Sequence, residues 1–89
     1  QKALTLRRAL ADKRAVAGTL TNIGNVYSDR GDMVNAVRYH RESLELYADL
    51  PDTLRMARVL VNLGEVFQSS GLYEEAYNEL DRARQLLEH

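Results

Sequence analysis

Apolar and polar positions alternate along this chain with a helical period. Ala17, Leu20, Gly24 and Tyr27 recur at spacings of three and four, Ile23 and Val26 widen the stripe, and Ala57, Leu60, Gly64 and Phe67 repeat it. Such spacing gathers the apolar side chains on one broad face of an amphipathic helix. A second pair of stripes follows the same rule: Met33, Ala36, Val37, His40, Ser43, Leu44 and Tyr47, answered by Tyr73, Ala76, Tyr77, Leu80, Ala83 and Leu87. Asp12 and Asp52 stand where a carboxylate accepts the first free amides of a helix, and Pro51 disfavours a helix running through it. Gly31 and Gly71 supply the left-handed turn that ends a helix, with Asp32 placed to cap the next. The pattern predicts first helices over about Lys13 to Arg30 and about Thr53 to Ser70, each followed by a second helix. Residues 2–11 read as the back half of a further second helix, making five helices with the first incomplete. No strand is signalled.

The stripes are two copies of one unit. Shifted by 40 residues, the chain pairs identically at twelve places, among them Leu20/Leu60, Asn22/Asn62, Gly24/Gly64, Val26/Val66, Gly31/Gly71 and Ala36/Ala76. Chance supplies about three or four such pairs, so the match marks an internal repeat. The chain then divides into residues 1–11, the end of a truncated preceding unit; residues 12–51, a first full unit; and residues 52–89, a second. Both ends look cut. Glu88 and His89 read as tag-derived, while Leu87 also fits the apolar pattern of its helix.

The strings LTNIGNVYSDRGDMVNAVRYHRES and LVNLGEVFQSSGLYEEAYNELDRA resemble tetratricopeptide repeats. The family's large apolar residue, Leu-Gly pair and aromatic are met by Leu20, Ile23, Gly24 and Tyr27, and again by Leu60, Leu63, Gly64 and Phe67. Its small residues in the second helix are Ala36 with Ser43, and Ala76 with Ala83. No tryptophan opens the motif, and the period of 40 is similar to that of kinesin light chains, spindle-orientation adaptors and many bacterial regulators. The resemblance implies an all-α fold: antiparallel helix pairs stacked as a short right-handed superhelical solenoid, with the first helices lining its concave side. The packing argument agrees. Glycine inside a helix costs about 1 kcal/mol relative to alanine, so Gly24 and Gly64 make sense where a neighbouring helix needs the space.

Composition narrows the function classes. With 89 residues, a net charge of −1 and no cysteine, the chain has no disulfide framework, thiolate metal site or cysteine nucleophile. A reducing, cytoplasmic setting is permitted and is the expected one. Twelve basic against thirteen acidic residues lack the footprint of a nucleic-acid binder, and no apolar run is long enough for a membrane helix. Charge is uneven, however. Residues 1–14 carry Lys2, Arg7, Arg8, Lys13 and Arg14 against Asp12, a net of +4, and residues 72–89 carry a net of −3. Solvated surface is one reading; head-to-tail association of chains is the other.

Catalytic chemistry finds little support. There is no phosphate loop, nucleophile elbow or metal-spaced cluster. His40 lies in an apolar stripe where the companion unit has Leu80, and reads as a partly buried structural residue. Glu74, Glu75 and Glu79 read as a solvated face that complements a helix start. Of the tyrosines, Tyr27, Tyr47, Tyr73 and Tyr77 fall within the packing stripes and Tyr39 outside them. No catalytic residue, metal ligand or cofactor is expected.

The asparagines say more. Asn22 and Asn62 hold the same mid-helix place in both units, although Asn is a poor helix-interior residue. In relatives of the resembled family, an asparagine there reaches into the concave groove and holds the backbone of a bound peptide. A side-chain amide offers both donor and acceptor, which suits an extended peptide. The alternative is an exposed or internally bonded amide kept by repeat ancestry. Where chaperone-tail-binding members place a carboxylate-clamping lysine, this chain has Thr21 and Val61, which points to an internal peptide segment instead. The expected function is a non-enzymatic protein-interaction module, with Asn22, Asn62, Asn25, Asp29, Arg58 and Glu65 as the peptide-binding residues of the concave face. The competing expectation is a structural spacer or self-association segment of a longer array.

Overall fold

A computed structural model describes residues 2–88, and within them the fold is all-α with no strand. The helices are α1 (Lys2–Asp29), α2 (Met33–Asp49), α3 (Thr53–Ser69) and α4 (Tyr73–Leu87). Consecutive helices pack side by side, and α1 also touches α3 along a short stretch. The turns between them repeat as the sequence does. Gly31 and Gly71 take φ of +77° and +80°, the left-handed region that favours glycine. The Asp32 amide then donates to the Tyr27 carbonyl at 2.9 Å, and the Leu72 amide to the Phe67 carbonyl at 2.8 Å. Asp32 caps α2 by accepting from the Asn35 amide at 3.2 Å, and Asp52 caps α3 by accepting from the Arg55 amide at 3.1 Å. In the second unit Leu72 stands at the capping place of α4 and forms no side-chain bond, so that start relies on Glu74 and Glu75 facing the helix dipole.

One boundary differs from expectation. Asp12 does not cap a helix: α1 runs unbroken for 28 residues, so four helices are found among the described residues where the pattern predicted five. The reason lies one residue upstream. Where the second unit has Pro51, which cannot continue a helix, the first has Ala11, the best helix former. At a rise of 1.5 Å per residue α1 is about 42 Å long, which sets much of the 50 Å long axis of the molecule. Its first third overhangs α2 and leaves Leu6 and Leu10 exposed. His89 lies outside the described residues, and Glu88 ends α4, accepting from Arg84 at 2.7 Å.

The core runs down the middle of the stack. Ala17, Leu44, Tyr47, Ala57, Val59, Leu60, Leu63, Phe67, Ala76 and Ala83 form one buried cluster. The helical glycines serve close approach: a Cβ on Gly24 would sit 2.8 Å from the His40 ring, and one on Gly64 2.8 Å from Leu80 Cγ. Each unit thus presses a second-helix side chain into a notch cut by the first helix. A polar link is exchanged the same way. Ser43 is buried and donates to the Ala17 carbonyl at 2.8 Å, so Thr21, 2.6 Å away, donates to Ser43. The companion unit replaces both members together, with Val61 and Ala83.

Five side chains sit otherwise than the sequence pattern suggests. Tyr39 is half-buried and stacks on Tyr27, centroids 5.5 Å apart at 4°. Tyr73 and Tyr77 are exposed, because no helix among the described residues packs against this face of α4. Glu79 is no solvated residue: it is buried on α4, held by Arg41 of α2 at 3.1 Å and by Arg82 at 3.2 Å. His40 is buried completely, beyond the partial burial expected, and neither ring nitrogen has a hydrogen-bond partner.

Candidate functional site

The first helices of the two units carry aligned stripes at four-residue spacing: Gly18 and Asn22 on α1, and Leu54, Arg58 and Asn62 on α3. Between them lies a groove of about 480 Å³, floored by Tyr47 of α2 and closed at one end by Leu87. Gly18 keeps that floor open. A Cβ there would lie 3.6 Å from the Tyr47 hydroxyl, so any larger side chain would stand over it. Thr21 also lines the groove, its hydroxyl proton committed to Ser43, which leaves its oxygen to act as an acceptor.

Of the six residues predicted for a peptide site, the structure brings Asn22, Arg58 and Asn62 together on this groove. Neither asparagine amide is hydrogen-bonded within the described residues, which leaves donor and acceptor on each free for a ligand. Asn25, Asp29 and Glu65 are exposed but do not line it; they lie one or two turns further along their helices. Leu54, Arg55, Tyr47 and Leu87 join the lining unforeseen. The four-residue step from Leu54 to Arg58 to Asn62 is the signal that could have found Leu54.

Losing Asp29 and Glu65 changes the electrostatics. Among the described residues the only charged side chains on the groove are Arg55 and Arg58. Arg55 is partly neutralised by Asp52 at 3.1 Å, whereas Arg58 forms no ion pair among the described residues. The arrangement is therefore cationic at one point, apolar at Leu54, Val61 and Leu87, and amide-bearing on both sides. It can hold a polypeptide. Among the described residues no group of His, Asp and Glu is placed to hold a metal ion, and no helix is long and apolar enough to cross a membrane.

Stacked helix pairs with a glycine notch in each unit and a groove between first helices define a helical-repeat protein. The model of the family described as tetratricopeptide repeat matches residues 15–89, and the chain belongs to that family. Among curated proteins it is similar to the outer dynein arm-docking complex subunit 4 of Danio rerio, 36% identical over 69 residues, 76% of this chain and 14% of that protein. The Bos taurus protein of the same name is 36% identical over 73 residues, covering 79% of this chain and 10% of its own length. The Mus musculus protein is 38% identical over 68 residues, 73% and 11%. The chain thus spans about a tenth to a seventh of the relatives it matches. No solved structure matches it significantly.

Proposed function

We propose that this chain is a non-enzymatic protein-interaction module whose groove between α1 and α3 binds an extended segment of a partner protein. The observation that carries the reading is the pairing of two unbonded amides, Asn22 and Asn62, across a groove of about 480 Å³. They hold the partner's backbone, Arg58 takes an acidic side chain, and Leu54, Val61 and Leu87 take apolar ones. Asn25, Asp29 and Glu65 act only on residues of the segment that extend beyond the groove. The relatives are named as subunits of a docking complex, which agrees with a segment that works by holding other proteins. Nucleic acid and membrane are not its partners in this reading, given the near-neutral charge, and a cysteine-free chain suits the cytoplasm.

The test begins with peptides selected from a random phage-displayed library against the chain. Affinity of the selected peptide for Asn22→Ala combined with Asn62→Ala should fall at least about tenfold, since each lost amide removes hydrogen bonds of about 1 kcal/mol. Unchanged affinity would reject the site. A second reading, self-association within an array, is favoured by the uncovered apolar faces at the two ends of the stack.

A further inference from the structure

Gly18 differs from the other helical glycines. A Cβ on Gly24 or Gly64 would sit 2.8 Å from a packed side chain, so close helix packing holds those two, whereas a Cβ on Gly18 would meet only the Tyr47 hydroxyl, at an ordinary contact of 3.6 Å. Packing within the chain therefore does not call for glycine at 18, although a glycine inside a helix costs stability relative to alanine. What lies beneath it supplies a reason. Tyr47 is 5% exposed, it floors the groove, and its hydroxyl forms no hydrogen bond among the described residues. A buried phenol ordinarily finds a partner. The companion unit changes both members together: Arg58 stands in place of Gly18 and Leu87 in place of Tyr47, so the second unit has neither the gap nor the hydroxyl.

We propose, resting on the groove as the partner-binding site, that Gly18 and Tyr47 form a window in it that seats an aspartate or glutamate of the bound segment. The carboxylate accepts from the Tyr47 hydroxyl and pairs with Arg58. Charge points to this occupant. Both charged side chains that line the groove among the described residues are cations; Asp52 draws off Arg55 at 3.1 Å, and Arg58 is left without an ion pair there. A carboxylate only accepts, so it takes the phenolic proton and guanidinium N–H groups together. A basic side chain would meet Arg58 as a like charge. An apolar one would fill the window and leave the hydroxyl sealed in without a partner, which weakens binding. Gly18 is what lets the carboxylate down to the floor, since the atoms of any side chain there would stand over the hydroxyl. Asn22 and Asn62 hold the segment's backbone, and Gly18 with Tyr47 selects one of its side chains.

Calorimetric titration of a library-selected peptide tests it, against the parent chain, Gly18→Ala, Tyr47→Phe and the combined Asn22→Ala and Asn62→Ala variant. Gly18→Ala should bind at least about tenfold more weakly, while its thermal midpoint rises by roughly 4–8 °C, since alanine favours the helix and its methyl fits the free chain. Tyr47→Phe should bind about tenfold more weakly with its thermal midpoint unchanged, because the hydroxyl it loses has no bond within the described residues. Affinity lost without stability lost is a result that a merely structural role for either residue would not give. The selected peptides should share an Asp or Glu, and its replacement by Asn or Gln should weaken binding to the parent about tenfold and to Tyr47→Phe far less. Unchanged affinity in Gly18→Ala or in Tyr47→Phe, with the asparagine variant weakened, overturns the window and leaves the groove reading standing. Selected peptides without an acidic residue, or with one that can be replaced at no loss, overturn the carboxylate. An asparagine variant that binds as the parent does overturns the groove reading and this proposal with it.

Discussion

Replacing His40 with leucine should stabilise the protein. The imidazole is completely buried, with neither Nδ1 nor Nε2 hydrogen-bonded, so one donor and one acceptor are without partners. An unsatisfied buried polar group costs about 1–3 kcal/mol. The space suits leucine, because the companion unit places Leu80 Cγ 2.8 Å from the notch at Gly64, where His40 stands 2.8 Å from the notch at Gly24. His40→Leu removes the polar cost at nearly constant volume, giving about 1–3 kcal/mol of added stability at neutral pH. For a domain of this size each 1 kcal/mol raises Tm by roughly 4–8 °C. A pH series sharpens the test. Burial pushes the His40 pKa below its usual 6.5, so above pH 6.5 both folded and unfolded chains carry it neutral. As pH falls below 6.5 the unfolded chain takes up a proton that the folded chain refuses, and folding loses stability until the lowered folded-state pKa is passed. The slope approaches about 1.4 kcal/mol per pH unit. The leucine variant lacks this loss, so urea unfolding should show its advantage widening between pH 7 and pH 5; His89 is common to both proteins and cancels. A destabilised variant, or an advantage constant across that range, would refute the reasoning.

Other substitutions separate the two units. Gly24→Ala should cost about 1–3 kcal/mol by thermal unfolding, because its methyl meets a rigid, fully buried ring. Gly64→Ala should cost less, since the Leu80 it meets is partly exposed and can swing away. Asp52→Ala removes the cap of α3 and its bond to Arg55, for a loss of about 1 kcal/mol in urea unfolding. Ser43→Ala should cost about 1 kcal/mol, and far less when Thr21→Val is added, because the companion unit tolerates Val61 with Ala83. A double-mutant cycle measures that coupling.

The helix pairs, their turns and their glycine notches were legible because each follows from a local rule that the chain states twice. The boundary at Asp12 was not, since capping residues end a helix only where something also stops it, and Ala11 does not stop it as Pro51 does. Periodicity placed Tyr73 and Tyr77 on a packing stripe, yet both are exposed, because whether such a face is covered depends on a neighbour that periodicity cannot see. Glu79 was misjudged for a related reason. Its partner Arg41 lies on another helix, 38 positions away in sequence, so its own surroundings read as solvent. For the groove, Asn22, Arg58 and Asn62 were within reach because they share one aligned stripe, while Tyr47 and Leu87 enter from other helices.

The central claim is that the α1/α3 groove holds a partner's peptide, and amide chemical-shift mapping of the labelled chain with a library-selected peptide tests it most directly. The account predicts shifts concentrated at Gly18, Thr21, Asn22, Arg58, Val61 and Asn62. Shifts confined to the Tyr73 and Tyr77 face of α4, with the groove unmoved, would contradict it.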